Sequence, residues 1–144
     1  MKRTWNIVIT ILILAFVWIQ SALPVSLSAA ESSLLMENVI NPILQSIGMD
    51  AMGHNLVRKL AHVTEFFAFS VFVTLSWSGN VFRAFLSGFV VAFLDESIQI
   101  LSNRGSQISD VWIDLIGITA GVAIGCLIWW FGKSNHGNKL RKKN

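Results

Sequence analysis

Charge is what this sequence has least of. Only 13% of its 144 residues are Asp, Glu, Lys or Arg, against about a quarter in an ordinary globular domain. Hydrophobic residues make up 53%, and the mean hydropathy is +0.61. The length suits one domain and is short for two, and a water-soluble domain of that size cannot hide so much apolar surface. The expected solvent is therefore lipid, and soluble enzyme classes are excluded. The single cysteine, Cys126, sits in an apolar run. It can build neither a disulfide framework nor a cysteine metal site. Tyrosine is absent, although there are six Trp and ten Phe. The sequence has no HExxH pair, internal repeat or low-complexity segment, and it gives no reason to expect a cofactor.

What is present is a set of long apolar stretches. A membrane-crossing helix needs about 20 mostly apolar residues. Four stretches qualify: 5–23, 57–77, 81–101 and 108–131. The expected fold is all-α, a polytopic membrane protein with four transmembrane helices. The domain would run over 1–132, followed by a basic, disordered tail over 133–144. Lys2, Arg3, the apolar centre from Ile7 to Ile19 and Ser28-Ala29-Ala30 also fit a cleaved signal peptide. The run is long enough to span, and Trp18 stands where an interface anchor would, which favours a retained helix. Four spans place eight basic residues (Lys2, Arg3, Arg83, Lys133, Lys139, Arg141, Lys142, Lys143) on the side of both termini. The other side holds three: Arg58, Lys59 and Arg104. That bias makes the termini cytoplasmic. Beside so apolar a chain, the basic tail points to anionic lipid or a topology signal and not to nucleic acid.

The outer loop, 24–56, repeats apolar residues at helical spacing: Leu34, Leu35, Val39, Ile40, Ile43, Leu44 and Ile47. Ser28 and Glu31 are spaced as a capping box. The pattern predicts a short amphipathic helix on the membrane surface, bent or broken near Pro42. A plain lid over the bundle fits the same pattern.

The ionisable residues inside the spans gather at one depth. Arg58, His62 and Glu65 fall at i, i+4 and i+7 and share a helical face. At 1.5 Å per residue, Glu65 lies ~10 Å below Arg58. The third stretch ends in Asp95, Glu96 and Gln99, with Arg104 just beyond. The fourth opens with Asp110 and Asp114, and Gly117, Gly121 and Gly125 continue that face. Helix direction alternates, yet all these groups fall in the outer third. A charge facing lipid costs a few kcal/mol or more, so they should point inward and pair or line a wet cavity. The glycines let the last helix approach its neighbours closely. A buried ion-pair network that only fixes helix register is the plain alternative.

These residues carry a resemblance. Arg58-Lys59-Leu60-Ala61-His62-Val63-Thr64-Glu65-Phe66 resembles the RK-x-x-H-x-x-E-aromatic signature of VanZ-like membrane proteins. Asp95-Glu96, Gln99, Arg104, Asp110, Asp114, Gly117 and Gly121 resemble that family's second signature at matching spacing. The resemblance covers about Ser21 to Gly125. It departs at Asp114, where many members carry Asn, and at Phe66, where Tyr is common. It implies a bacterial plasma-membrane protein of the cell envelope. The family's founding member belongs to a glycopeptide-resistance cluster and lowers susceptibility to teicoplanin.

Three functions fit the residues. The first is a non-enzymatic envelope protein whose outer polar pocket binds membrane lipid, a lipid-linked cell-wall precursor or a lipoglycopeptide. The pocket would comprise Arg58, Lys59, His62, Glu65, Asp95, Glu96, Gln99, Arg104, Asp110 and Asp114. Guanidinium groups suit phosphate through paired hydrogen bonds, and the acids suit an amine or sugar hydroxyls. The second is an enzyme on a lipid headgroup, metal-dependent through Glu65, Asp95, Glu96, Asp114 and His62, or using Asp95 and Glu96 as acid and base. The third is a small ion- or proton-coupled carrier, against which stands the lack of any acid in the inner half of a span.

Overall fold

The computed structural model describes residues 3–48, 53–102 and 110–141. The described residues form helices and turns and no strand. Helix α1 is Arg3–Ala22. After a bend at Leu23 and Pro24 come α2 (Val25–Leu35), a π-type turn over Met36–Ile40 and α3 (Asn41–Ser46). Then follow α4 (His54–Ser76), α5 (Val81–Leu101) and α6 (Asp110–Arg141).

Four long helices run alternately up and down. α1, α4, α6 and α5 pack in that cyclic order, and α4 and α5 also meet across the middle. The core comprises Val17 of α1, Phe66, Phe69 and Val73 of α4, Ala84, Val91 and Ala92 of α5, and Ile118 and Val122 of α6. The outward faces stay apolar, with Leu12, Phe82, Trp112 and Ile116 exposed, as a lipid solvent requires. Trp18 does not stand out as an anchor; it packs against the core.

Among the described residues, three helices can cross a membrane by length and composition, α1, α5 and the Asp110–Ser134 part of α6, not the four expected. The 57–77 stretch is a helix, but Arg58, Lys59, His62 and Glu65 crowd its first turns and dilute its apolarity. The first two residues of the 108–131 stretch lie outside the described residues. Its helix continues through Arg141, where an irregular tail was expected from residue 133. No proline interrupts it, and a formed helix gains one hydrogen bond for each residue added.

The expected loop helix is there, though built differently. α2 begins at Val25 with Pro24 at its cap, so Ser28 lies inside the helix and not at its N-cap. Pro42 does not break the chain either. A proline removes an N–H and crowds the carbonyl four residues back. Here the preceding turn widens to the π form, and Leu35, Ile40 and Asn41 stay helical. The segment buries Met36 and Leu44 and exposes Leu34, Leu35, Val39, Ile43 and Ile47.

A four-residue turn, Trp77–Asn80, closes the α4–α5 hairpin. Ser78 and Gly79 have φ of 55° and 76°, and the Gly79 N–H reaches back to Thr74 O at 2.9 Å. The left-handed region suits glycine. A Cβ on Gly79 would also meet the Trp129 ring at 2.7 Å. Asn80 then caps α5, its side-chain oxygen accepting from Arg83 N at 3.0 Å.

Candidate functional site at the acidic end of the bundle

The start of α4, the end of α5 and the start of α6 lie together at one end of the bundle. Glycines set how closely they approach. A Cβ on Gly117 would collide with Val63 O, and one on Gly121 with Phe67 O. On Gly125 it would stand 2.7 Å from Thr74 Cβ. Thus α6 lies directly on the α4 backbone. Gly88 of α5 plays the same part toward α6, where a Cβ would come within 2.8 Å of Ile118.

This close packing puts Asp95, Glu96 and Asp114 in the interior, at 0, 4 and 1% exposure. Such deep burial forces each oxygen to find a partner or go without. Asp95 is well supplied. It accepts from Ser21 Oγ of α1 and, at 2.8 Å, from Gln99 Nε2. Gln99 Nε2 also reaches Ser21 Oγ at 3.5 Å. His62 bridges two helices, its Nδ1 lying 3.9 Å from Asp95 Oδ2 and 3.8 Å from Asp114 Oδ1. These are ion-pair distances, too long for direct hydrogen bonds. The ring stacks on Phe66 with centroids 6.5 Å apart.

Two acceptors are left over. Glu96 Oε2 and Asp114 Oδ2 are buried with no hydrogen-bond partner among the described residues. Both residues line a cavity of about 10 Å³, with Arg58, Lys59, His62, Gln99, Asp110 and Ile113. On the other side of α4 lies a cavity of about 180 Å³, lined by Phe16, Gln20 and Ser21 of α1, Ser32 and Leu35 of α2, and Val57, Arg58, Ala61, His62 and Glu65 of α4. Arg58 and His62 line both.

Of the ten residues expected to form the site, eight line one cavity or the other. They are Arg58, Lys59, His62, Glu65, Glu96, Gln99, Asp110 and Asp114. Asp95 lies behind them in the hydrogen-bonded network, and Arg104 lies outside the described residues. The pocket is not built by the last three helices alone. α1 contributes Ser21, 2% exposed, and Gln20, which the sequence reading passed over. The signal was a polar pair closing an otherwise apolar span. Among the described residues no group of three or more His, Cys, Asp or Glu side chains is placed to hold a metal ion.

An all-helical bundle with apolar outer faces and a polar cluster buried at one end is a membrane protein of the integral, helical class. The chain belongs to the VanZ/LLP1 family, whose model matches residues 6–131. Comparison with curated proteins returned no match, and comparison with solved structures returned none.

Proposed function

We propose that this protein binds the headgroup of a lipid-linked or amphiphilic molecule at the outer leaflet of a bacterial plasma membrane. In doing so it lowers the attachment of lipoglycopeptides such as teicoplanin to the cell surface. On this reading α4 is a fourth span. Arg58, His62 and Glu65 are half-buried and line cavities against the neighbouring helices, and the exposed Lys59 stands at the outer end, so its lower apolarity is no obstacle to crossing. The termini are cytoplasmic, the acidic end faces out, and α2 and α3 lie on the outer surface with Leu34, Leu35, Val39, Ile43 and Ile47 toward lipid.

The observation that carries the reading is the pair of cavities sharing Arg58 and His62. One has apolar walls from Phe16, Leu35 and Val57, and the other sets Glu96, Asp110 and Asp114 beside Arg58, Lys59 and His62. Sites for drug-sized ligands run to about 300–1,000 Å³, so about 180 Å³ takes a headgroup and not a whole glycopeptide. Competition for a headgroup therefore fits better than capture of the antibiotic itself. Arg58 is suited to phosphate.

The test is surface binding of fluorescent teicoplanin to a sensitive bacterium expressing wild type or Glu96→Gln at matched membrane levels. The expected outcome is reduced binding with wild type and restored binding with the variant. Equal binding with and without wild-type protein would remove the resistance-type role.

A further inference from the structure

No Asp or Glu occurs in 1–30, 66–94 or 115–144. Those stretches supply the end of the bundle where α1 starts, α4 turns into α5 and α6 finishes. The ion pairs seen among the described residues, His62 with Asp95 and with Asp114, both belong to the acidic end. The basic residues of the other end lean on neutral partners. Lys133 Nζ lies 5.1 Å from the centre of the Trp129 ring and Arg83 Cζ 5.3 Å from that of Trp77, while Arg3 Nε donates to Ser76 O at 3.2 Å. Such contacts stabilise a cation without neutralising it. An excess of Lys and Arg at one membrane face is an ordinary topology signal, and by itself it implies no site.

A built groove lies beside these cations. Over the face of α4 between α1 and α6 is a cavity of about 650 Å³, walled by Val71, Phe72 and Leu75 of α4 and by Ile128 and Trp129 of α6. Ligand sites run to about 300–1,000 Å³. Asn6 of α1 and Lys133 of α6 bring polar groups into its lining, and no acid does. Asn6 is 6% exposed, and its amide oxygen has no hydrogen-bond partner among the described residues. Hydrocarbon alone would fill the groove but leave a buried amide unsatisfied and an ammonium unneutralised. Water would serve the polar groups and leave the apolar walls wet. An amphiphile with an apolar chain and a negative headgroup serves both.

We infer that the groove between α1, α4 and α6 seats an anionic phospholipid, its acyl chain along Phe72, Leu75 and Trp129 and its phosphate at Lys133. On the orientation proposed above this is a lipid of the inner leaflet. The inference goes beyond the proposed function, since no residue of the two outer cavities lines this groove.

The experiment uses the purified full chain in a non-ionic detergent and reads retention of the first bound lipid by native mass spectrometry. The probes are phosphatidylglycerol and phosphatidylcholine with the same acyl chains. Both carry a phosphate, but only the first keeps a net negative charge. Wild type should favour phosphatidylglycerol by roughly fivefold, the value of one basic residue beside an anionic lipid. Lys133→Gln should remove that preference. Gly132→Leu should weaken retention of both lipids, because Gly132 lines the groove and a Cβ there meets nothing. The added side chain then takes up room in the groove without striking the protein. Lys133 is exposed and Gly132 unobstructed, so both variants should fold.

A third variant, with Lys139, Arg141, Lys142 and Lys143 all changed to Gln, tests diffuse attraction by the basic tail. It should keep the preference. Equal retention of the two lipids by wild type overturns the inference. A preference that survives Lys133→Gln and vanishes in the tail variant overturns it too. So does a first lipid held as well by Gly132→Leu as by wild type, since the headgroup is then attracted without a seat for its chain. The teicoplanin assay probes the acidic end and this series the opposite one, so the two readings fail separately.

Discussion

The two ends of the bundle bury polar side chains in opposite ways. At the end holding Asn6 and Ser76 the hydroxyls satisfy themselves locally. Thr74 Oγ1 donates to Ser70 O at 2.6 Å, Ser76 Oγ to Phe72 O at 2.9 Å and Thr10 Oγ1 to Asn6 O at 2.8 Å. Each bond stays within its own helix, one turn back. At the acidic end Gln99 bonds Asp95 within α5, but the other contacts cross between helices. Ser21 of α1 donates to Asp95 of α5, and His62 of α4 lies between Asp95 and Asp114 of α6. A hydroxyl in a helix can donate to the backbone carbonyl one turn back, whereas a carboxylate only accepts and needs a donor from another side chain, in its own helix as with Gln99 or across to α1 as with Ser21. The first end leans less on its neighbours, with Arg3 Nε to Ser76 O and Thr10 Oγ1 to Ser76 Oγ joining α1 to α4 and Asn6 Oδ1 left over, and the acidic end buries whole carboxyl groups between its helices.

Four substitutions probe that contrast, in falling order of expected effect. Gly121→Leu acts on the interface both ends share, because any side chain there strikes the Phe67 carbonyl. It should cost about 3 kcal/mol, the upper range of forced overpacking, and appear as loss of monodisperse protein in detergent. If it is tolerated, α6 does not lie on α4 as described. Asp95→Ala removes the shared acceptor and strands the Ser21 hydroxyl and Gln99 amide in the interior. About 2 kcal/mol of stability should be lost, measured by thermal unfolding, with Asp95→Asn recovering part of it. Ser21→Ala takes away only the donor from α1 and should cost about 1 kcal/mol. At the opposite end Thr74→Val removes a bond made within its own helix, and a change below about 0.5 kcal/mol is expected. A Thr74→Val loss as large as that of Asp95→Ala would erase the distinction between the ends.

Much of this contrast could be read from the sequence. The spacing of Arg58, His62 and Glu65, and of Asp110, Asp114 and the three glycines, is helical periodicity, which local geometry fixes. The partner of a given oxygen is another matter. That Ser21 donates to Asp95 depends on where α1 docks, and a serine near the end of an apolar run carries no mark of it. Spans follow from apolarity alone, so the polar α4 blurred the count at four against three. Pro42 predicted a bend or a break because proline removes a backbone donor, but the sequence does not reveal that the disturbance takes the form of a widened turn over Met36–Ile40. The ends of helices were least legible. Nothing local distinguishes a tail that frays after Phe131 from one that stays helical through Arg141.

The turn at Trp77–Asn80 bears on how the chain enters its membrane. It joins α4, the long helix that falls short of a span by composition, to the candidate span α5 across only four residues, with Gly79 pressed against Trp129. If α4 spans, it cannot be weighed alone at the moment of insertion. The hairpin would then enter as one object, and the apolar surplus of α5 would carry the charged turns of α4 across until α6 arrived to cover them. Lengthening that turn with a flexible insert would separate the two decisions. Topology would fail in such a chain even though every residue of the acidic end was still present.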